Sequence, residues 1–530
     1  MITLLLVVPL VGAVLAPLIR ADRVARWFGV AVTGATFGLS LALLSHVDGP
    51  VTSTVDARHE TDWQWIPALG VRFHVGVDGV SVPLVILTSL LCLLCAVYSL
   101  SSLPAPGRAP AFTGLVLLTE VGMLGTFVAL DLVLFFVFFE VVLLPMYFLI
   151  AVWGGTAAAR RAATKFVLYT LLGSVLVLVG IVSVYASAGT FDIVELSHRG
   201  GAGIAHGTQV AAFLALFLGF AVKSPLYPLH TWLPDAHTEA PTVGSVLLAG
   251  VLLKMGTYGL VRVAVPVVPE GARALAPALG VLAVAGIVVG SLCCLAQTDV
   301  KRLIAYSSVG HMGFVLLGIA TLTPTGINAA LLANIAHGVI TGLLFFLVGG
   351  VKDRYHTGDL RALGSGLQAR LPVLGGLFLL ACVASLGLPG LAGFWGEAFA
   401  LLAAYRPAAG LSGMLYAVLL AVAAVGTALT AAYFLRLLRA LVTGPDAPGI
   451  AGPGVAGAGG GGSGGGGVSD VDGAAAGEPV GAGVTADAGG VELAAWLPLA
   501  LLAVVIGLYP RLVLGLTDAP VQALLGVFAR

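Results

Sequence analysis

Six ionisable side chains stand where their surroundings ought to exclude them. Glu140 is the one formal charge in FFVFFEVVLLPMYFLI, and Lys223 and Lys254 interrupt AVKSPLYPLH and LLKMGTYGL. His311 and His337 sit in YSSVGHMGF and NIAHGVITGLLFF, and Glu397 closes LPGLAGFWGE. An isolated charge in hydrocarbon costs on the order of several kcal/mol, so intramembrane ionisable groups usually mark a proton or ion path. These residue types suit proton relay. A carboxylate and an ammonium couple their protonation states, and neutral imidazole both donates and accepts. At roughly 6 Å and an effective permittivity of about 20, Glu140 and Lys223 would interact by about 2.8 kcal/mol. Moving one charge against 100 mV costs about 2.3 kcal/mol. Neutralising Glu140 would therefore make Lys223 release its proton toward Lys254. His311 and His337 would bridge, with Glu397 as the terminal carboxylate.

The rest of the chain must place these groups in lipid. Of 530 residues, 59% are hydrophobic and 9% charged, and the mean hydropathy is +1.06. A soluble domain carries about 25% charged residues. Lys plus Arg equals Asp plus Glu at 25 each, which leaves no field for nucleic acid. Cys92 and Cys95 form a CxxC inside an apolar helical run, Cys293 and Cys294 are adjacent on another, and Cys382 stands alone. They read as apolar fillers rather than metal or cluster ligands. No cofactor and no metal is expected in this chain.

Apolar runs of spanning length occur at about 2–19, 27–45, 80–100, 111–129, 131–152, 166–187, 208–233, 241–262, 274–296, 302–322, 325–350, 371–404, 411–440 and 492–514. They predict an all-α polytopic membrane protein with about 14 transmembrane helices, termed spans 1–14. The first run, MITLLLVVPLVGAVLAPLI, lacks a basic start and is expected to stay as span 1 rather than to be cleaved. Span 7 is interrupted at Pro225 and Pro228, just after Lys223. Span 12 is interrupted at Gly387, Pro389, Gly390 and Gly393, just before Glu397. Such breaks survive at membrane depth only inside protein or beside a water-filled cavity. Glu140 lies nine residues after the candidate N-cap Asp131, about 13 Å along the axis, and the other five groups fall in the same central layer.

Because the breaks are five spans apart, helices 4–8 and 9–13 read as two five-helix repeats. An odd number of spans makes them inverted, with discontinuous helices 7 and 12 at matching places. The organisation is then 1–110 for spans 1–3 with an outer loop, 111–262 and 274–440 for the two repeats, and 492–530 for span 14 and a tail. The segment 443–490, with GAGGGGSGGGG and no lysine or arginine, reads as a disordered inner loop. Fifteen lysines and arginines fall on one set of loops and eight on the other. By the positive-inside rule both termini lie on the outer side of the cell inner membrane.

FFEVVLLPMYFLIAVWGG, AVKSPLYPLHTWLPDAHTEAPTVGSVLLAGVLLKMGTYGL, QTDVKRLIAYSSVGHMGF and LPGLAGFWGE together resemble the antiporter-like subunits of proton-pumping NADH:quinone oxidoreductase, respiratory complex I. The resemblance runs from about span 3 to span 14, and the Gly-rich 443–490 segment departs from it. It implies Glu140, Lys223, Lys254 and Glu397 as the main proton-path residues, with His311 and His337 linking them. It sets His230 and His237, in HTWLPDAH, near the inner entrance, where tying the broken span to span 8 is an equal alternative. A glutamate on span 12, where the paralogues carry lysine, implies the M type. The L-type and N-type subunits and other membrane subunits would then be neighbours. NADH, FMN, iron–sulfur clusters and quinone would lie in partner subunits. Rival readings are a subunit of a multisubunit cation/proton antiporter, the membrane arm of a proton-pumping hydrogenase, and a passive scaffold whose charges only hold helices together.

Overall fold

The computed structural model describes residues 1–46, 58–443 and 487–528. Most of the Gly-rich segment, 444–486, therefore lies outside the described residues. All fourteen apolar runs are helical, as backbone in hydrocarbon must be when it satisfies its own hydrogen bonds. Among the described residues twelve helices are long and apolar enough to cross a membrane, and three apolar ones are shorter: Ile2–Leu18, Val82–Tyr98 and Pro372–Ser385. Span 8 (Thr242–Val267) is buried throughout and packs on span 11 (Pro324–Tyr355) and span 4 (Ala109–Val128), and span 10 (Val300–Ala320) is also largely buried. Span 6 (Ala159–Ala188) lies outside them and exposes Leu168, Leu172, Val175, Val179 and Val182, an i, i+4, i+7 stripe suited to lipid.

The interruptions fall at the expected places. Span 7 stops at Lys223 and resumes as Trp232–Glu239. Pro225 has no N–H to offer the Ala221 carbonyl, which accepts from the Leu226 amide at 2.9 Å instead, and the Val222 carbonyl so released accepts from the Trp232 indole at 3.0 Å. Span 12 runs Pro372–Ser385 and Ala392–Tyr405. Between the halves Gly387 and Gly390 adopt φ of +78° and +94°, a left-handed backbone open to glycine.

One junction occurs twice. Asp131 caps span 5 through the Val133 and Leu134 amides and pairs antiparallel with Asp192, which caps the short helix after span 6. Asp299 caps span 10 and pairs in the same way with Asp359, which caps the short helix after span 11. In each case the junction joins the start of one span to the end of the next. By the alternation of spans the two junctions lie at opposite ends of the molecule.

Four features depart from the sequence reading. The outer loop between spans 2 and 3 contains an antiparallel hairpin, β1 (Arg58–Ile66) and β2 (Val71–Val77). Span 14 ends at Leu508, and the tail beyond it forms a further helix, Arg511–Leu525. Span 8 extends to Val267, so Arg262 is not a loop residue. It is buried and pairs with buried Asp78 at 2.6 Å. Span 8 also contains two π-helical turns, Leu248–Leu252 and Leu260–Ala264, on either side of Lys254.

A buried row of proton-exchanging side chains

Lys254 lies between the two π turns of span 8, fully buried. Its Nζ donates to the Ala249 carbonyl and lies 2.6 Å from His337 Nδ1 on span 11. An ammonium has donors only, so where Lys254 is charged His337 Nδ1 accepts and the ring proton sits on Nε2. That Nε2 is buried without a hydrogen-bond partner among the described residues. The His311 ring, on span 10, is 5.8 Å from the His337 ring centre to centre. His311 Nδ1 then meets Glu397 Oε1 at 3.0 Å, and its Nε2 meets the Ser385 hydroxyl at 3.0 Å. Both halves of broken span 12 thus hold one ring. The other Glu397 oxygen is buried and unpartnered, and a Cβ on Gly387 would lie 3.3 Å from it. Four of the six residues form one row: Lys254, His337, His311, Glu397.

The other two meet less directly. Among the described residues Glu140 and Lys223 form no ion pair within 4.0 Å, against the paired arrangement that the sequence suggests. Glu140 is half-buried and accepts from the Ser174 hydroxyl of span 6. Lys223 is buried, donates to the Phe139 carbonyl at 3.4 Å, and stands 4.4 Å above the Phe139 ring. The ammonium is therefore held by the residue preceding Glu140. Between Lys223 and Lys254 lies Ser224, whose buried hydroxyl has no partner among the described residues. It sits against Gly256, two residues from Lys254, where a Cβ would collide with it.

His237 is fully buried, stacked on Phe345 of span 11 at 4.6 Å, with both ring nitrogens unpartnered. His230 stands beside Tyr227 and Tyr306. Their rings face spans 10 and 11. The tie to span 8 is made by the His237 backbone, whose carbonyl accepts from Ser245 at 3.2 Å.

Several contributors escaped the sequence reading. Ser174 and Ser385 are ordinary residues in apolar helices, with no local signal of the partner across the helix interface. Glu120 had a signal, as the lone acid of LVLLTEVGML. It is fully buried in span 4, with both oxygens unpartnered among the described residues. Lys301, counted as a loop charge, is buried and donates to the Ala240 carbonyl.

A polytopic helical unit with two broken spans and a buried lysine–histidine–carboxylate row has the design of an antiporter-like membrane subunit. Residues 129–428 match the family described as NADH:quinone oxidoreductase/Mrp antiporter, TM. The chain belongs to this family. It is 42% identical over 434 residues to NADH-quinone oxidoreductase subunit M of Rhodobacter capsulatus, covering 80% of this chain and 81% of that one. It is 37% identical over 425 residues to subunit M of Rickettsia prowazekii, with 80% and 83% covered. Among solved structures, a chain of respiratory complex I from Thermus thermophilus superposes with a TM-score of 0.82 at 29% identity, covering 99% of each chain. A chain of the Mrp complex from Dietzia sp. DQ12-45-1b gives 0.79 at 23% identity over 99% of each, a likeness of fold. Within the family the chain is of the M type.

Proposed function

We propose that this chain is a proton-translocating, non-redox subunit of a membrane-bound NADH:quinone oxidoreductase. Glu140, Lys223, Lys254, His337, His311 and Glu397 carry the proton. The single observation that supports this most is the row from Lys254 through His337 and His311 to Glu397, which offers a donor or acceptor at each step within the helix bundle. Glu140 acts as the control. Its charge holds the proton on Lys223, and its loss frees that proton to pass by way of Ser224 to Lys254. At an effective permittivity of about 20 such control is worth on the order of 2–3 kcal/mol, comparable to one charge crossing 100 mV. The terminal Glu397 collects the proton for release.

In this reading NADH oxidation, FMN, iron–sulfur clusters and quinone reduction belong to partner subunits, and the chain sits beside L-type and N-type antiporter-like subunits. The membrane is the bacterial inner membrane, with both termini outside and the end bearing Lys301 and Lys352 inside. His230 and His237 lie toward the inner entrance.

The test is Glu140→Gln and Glu397→Gln in the assembled complex, reading NADH:quinone turnover and proton movement in vesicles together. Both should fall at least tenfold while complex abundance holds. Full pumping in both variants would refute the relay and favour the scaffold. Sodium-dependent transport without NADH oxidation would favour the cation/proton antiporter.

A further inference from the structure

A cavity of about 790 Å³ opens at the end of the molecule where spans 8 and 10 begin. Its wall is formed by Ala240–Val243, by Ser102 and Tyr98 at the end of span 3, by Lys352 and Asp353 at the end of span 11, and by Glu492 of span 14. Among the charged residues of this lining, Lys352 and Asp353 are exposed and Glu492 is half-buried, whereas Lys301 is buried. Its ammonium is held by the backbone carbonyl of Ala240 rather than by a carboxylate.

Ala240 ends the short helix Trp232–Glu239, and that helix carries His237. His237 stacks on Phe345 of span 11, the span whose His337 meets Lys254. His237 is thus a buried ring whose two nitrogens have no partner among the described residues, on the short helix that ends at the carbonyl holding Lys301 and packed against the span that carries the partner of Lys254. A buried polar group with no partner costs free energy, and a satisfied fold removes such groups unless they exchange partners in use.

We propose that Lys301 is the proton-uptake residue of this subunit, taking a proton from water in the cavity and passing it through His237 to Lys254. The inference rests on the relay proposed above and extends it to the inner surface. The step is proton transfer alone. An acid in the cavity protonates the Lys301 amine, and the ammonium returns that proton to one ring nitrogen of His237. The other ring nitrogen releases its proton toward Lys254. No electron moves, and only N–H and O–H bonds change. A lysine suits the position because its charge rides on a flexible four-carbon stem that can face water or turn inward.

The competing role for Lys301 is a fixed clamp on the Ala240 carbonyl. Lys301→Met should lower coupled turnover at least tenfold, and so should Lys301→Cys. Treating the cysteine variant with 2-aminoethyl methanethiosulfonate restores a primary amine that exchanges protons. The 2-(trimethylammonio)ethyl reagent restores a charge that cannot. Recovery with the first reagent alone is the expected result. Recovery with both, recovery with neither at full labelling, or full pumping by Lys301→Met would each overturn the proposal. Independently of folding around Lys301, Ser102→Cys on the cavity rim should lose pumping at least threefold when a bulky impermeant maleimide is applied to the inner face. Unchanged pumping at full labelling would likewise overturn it. Lys254→Met separates the two readings. If it pumps fully, the relay fails. If it is dead while Lys301→Met pumps, uptake through Lys301 alone fails.

Discussion

Lys254 Nζ and His337 Nδ1 approach to 2.6 Å inside a buried helix interface. A contact this short leaves room for one proton between two groups that both bind protons. With Lys254 as ammonium, His337 must be the neutral tautomer protonated at Nε2. When the proton moves across, the ring becomes the cation and its Nε2–H turns donor toward His311.

His337→Leu should therefore uncouple the subunit as fully as Lys254→Met does, although only the lysine carries a fixed charge. The measure is NADH:quinone turnover at matched complex abundance, with at least a tenfold loss in each. The double variant should be no worse than either single one, since both interrupt one step. Additive losses would mean that the two residues act in separate paths.

Gly256→Ala tests the crossing between Lys223 and Lys254. Its Cβ would collide with the Ser224 hydroxyl and lie 2.6 Å from the Phe220 carbonyl. Overpacking of this kind costs about 1–3 kcal/mol. A thermal midpoint lowered by several degrees is expected, together with a loss of turnover larger than in Ser224→Ala. A variant as stable and active as the parent would show that spans 7 and 8 separate freely here.

The buried Arg262–Asp78 pair makes a stability prediction. Asp78→Asn strands the guanidinium, whose Nε and other terminal nitrogen already lack partners, and should cost about 3–5 kcal/mol. Replacing both residues by Leu and Met should recover most of that loss. Equal losses in the single and double variants, read from thermal unfolding in detergent, would show that the pair contributes no mutual compensation.

The hairpin offers a pH dependence outside the membrane. Burial works against charge on His74, but hydrogen bonds to Asp192 and Glu60 outweigh it and raise the ring above its ordinary 6.5. Burial likewise opposes ionisation of Asp192, yet its bond to His74 leads the contributions that bring it below 3.8. The His74 contribution to docking is full below pH 6.5 and fades as pH rises through the elevated value. That of Asp192 is present above 3.8 and fades as pH falls through the depressed one. The protection of the Val71–Val77 amides, taken relative to base-catalysed intrinsic exchange, should be greatest in the window between and should fall in alkali. The same fall in His74→Gln would refute the assignment.

Span positions and both breaks were legible because hydrocarbon leaves the backbone few choices and because proline and glycine punctuate helices locally. The depth of Glu140 or His337 follows from a rise per residue, which is also local. What was not legible depends on rotation about the helix axis and on partners from other spans. Nothing near Ser385 announces that it completes His311, and nothing near Lys301 says that the Ala240 carbonyl will hold it. The side chains of Glu140 and Lys223 point to Ser174 and Phe139 respectively. The Asp131–Asp192 and Asp299–Asp359 junctions were readable in part. Each aspartate precedes an aliphatic residue at the start of a helix, a cap signal repeated four times.

The π turns at Leu248–Leu252 and Leu260–Ala264 have a consequence for how this surface can change over generations. A π turn arises when a helix absorbs one extra residue, and one residue is about 100° of phase. Each turn takes up its extra residue locally, so the helix on either side keeps its phase. Losing one residue from the first turn would return it to α-helix and leave Lys254 facing His337. A single codon deletion there would thus be absorbed without redirecting the proton.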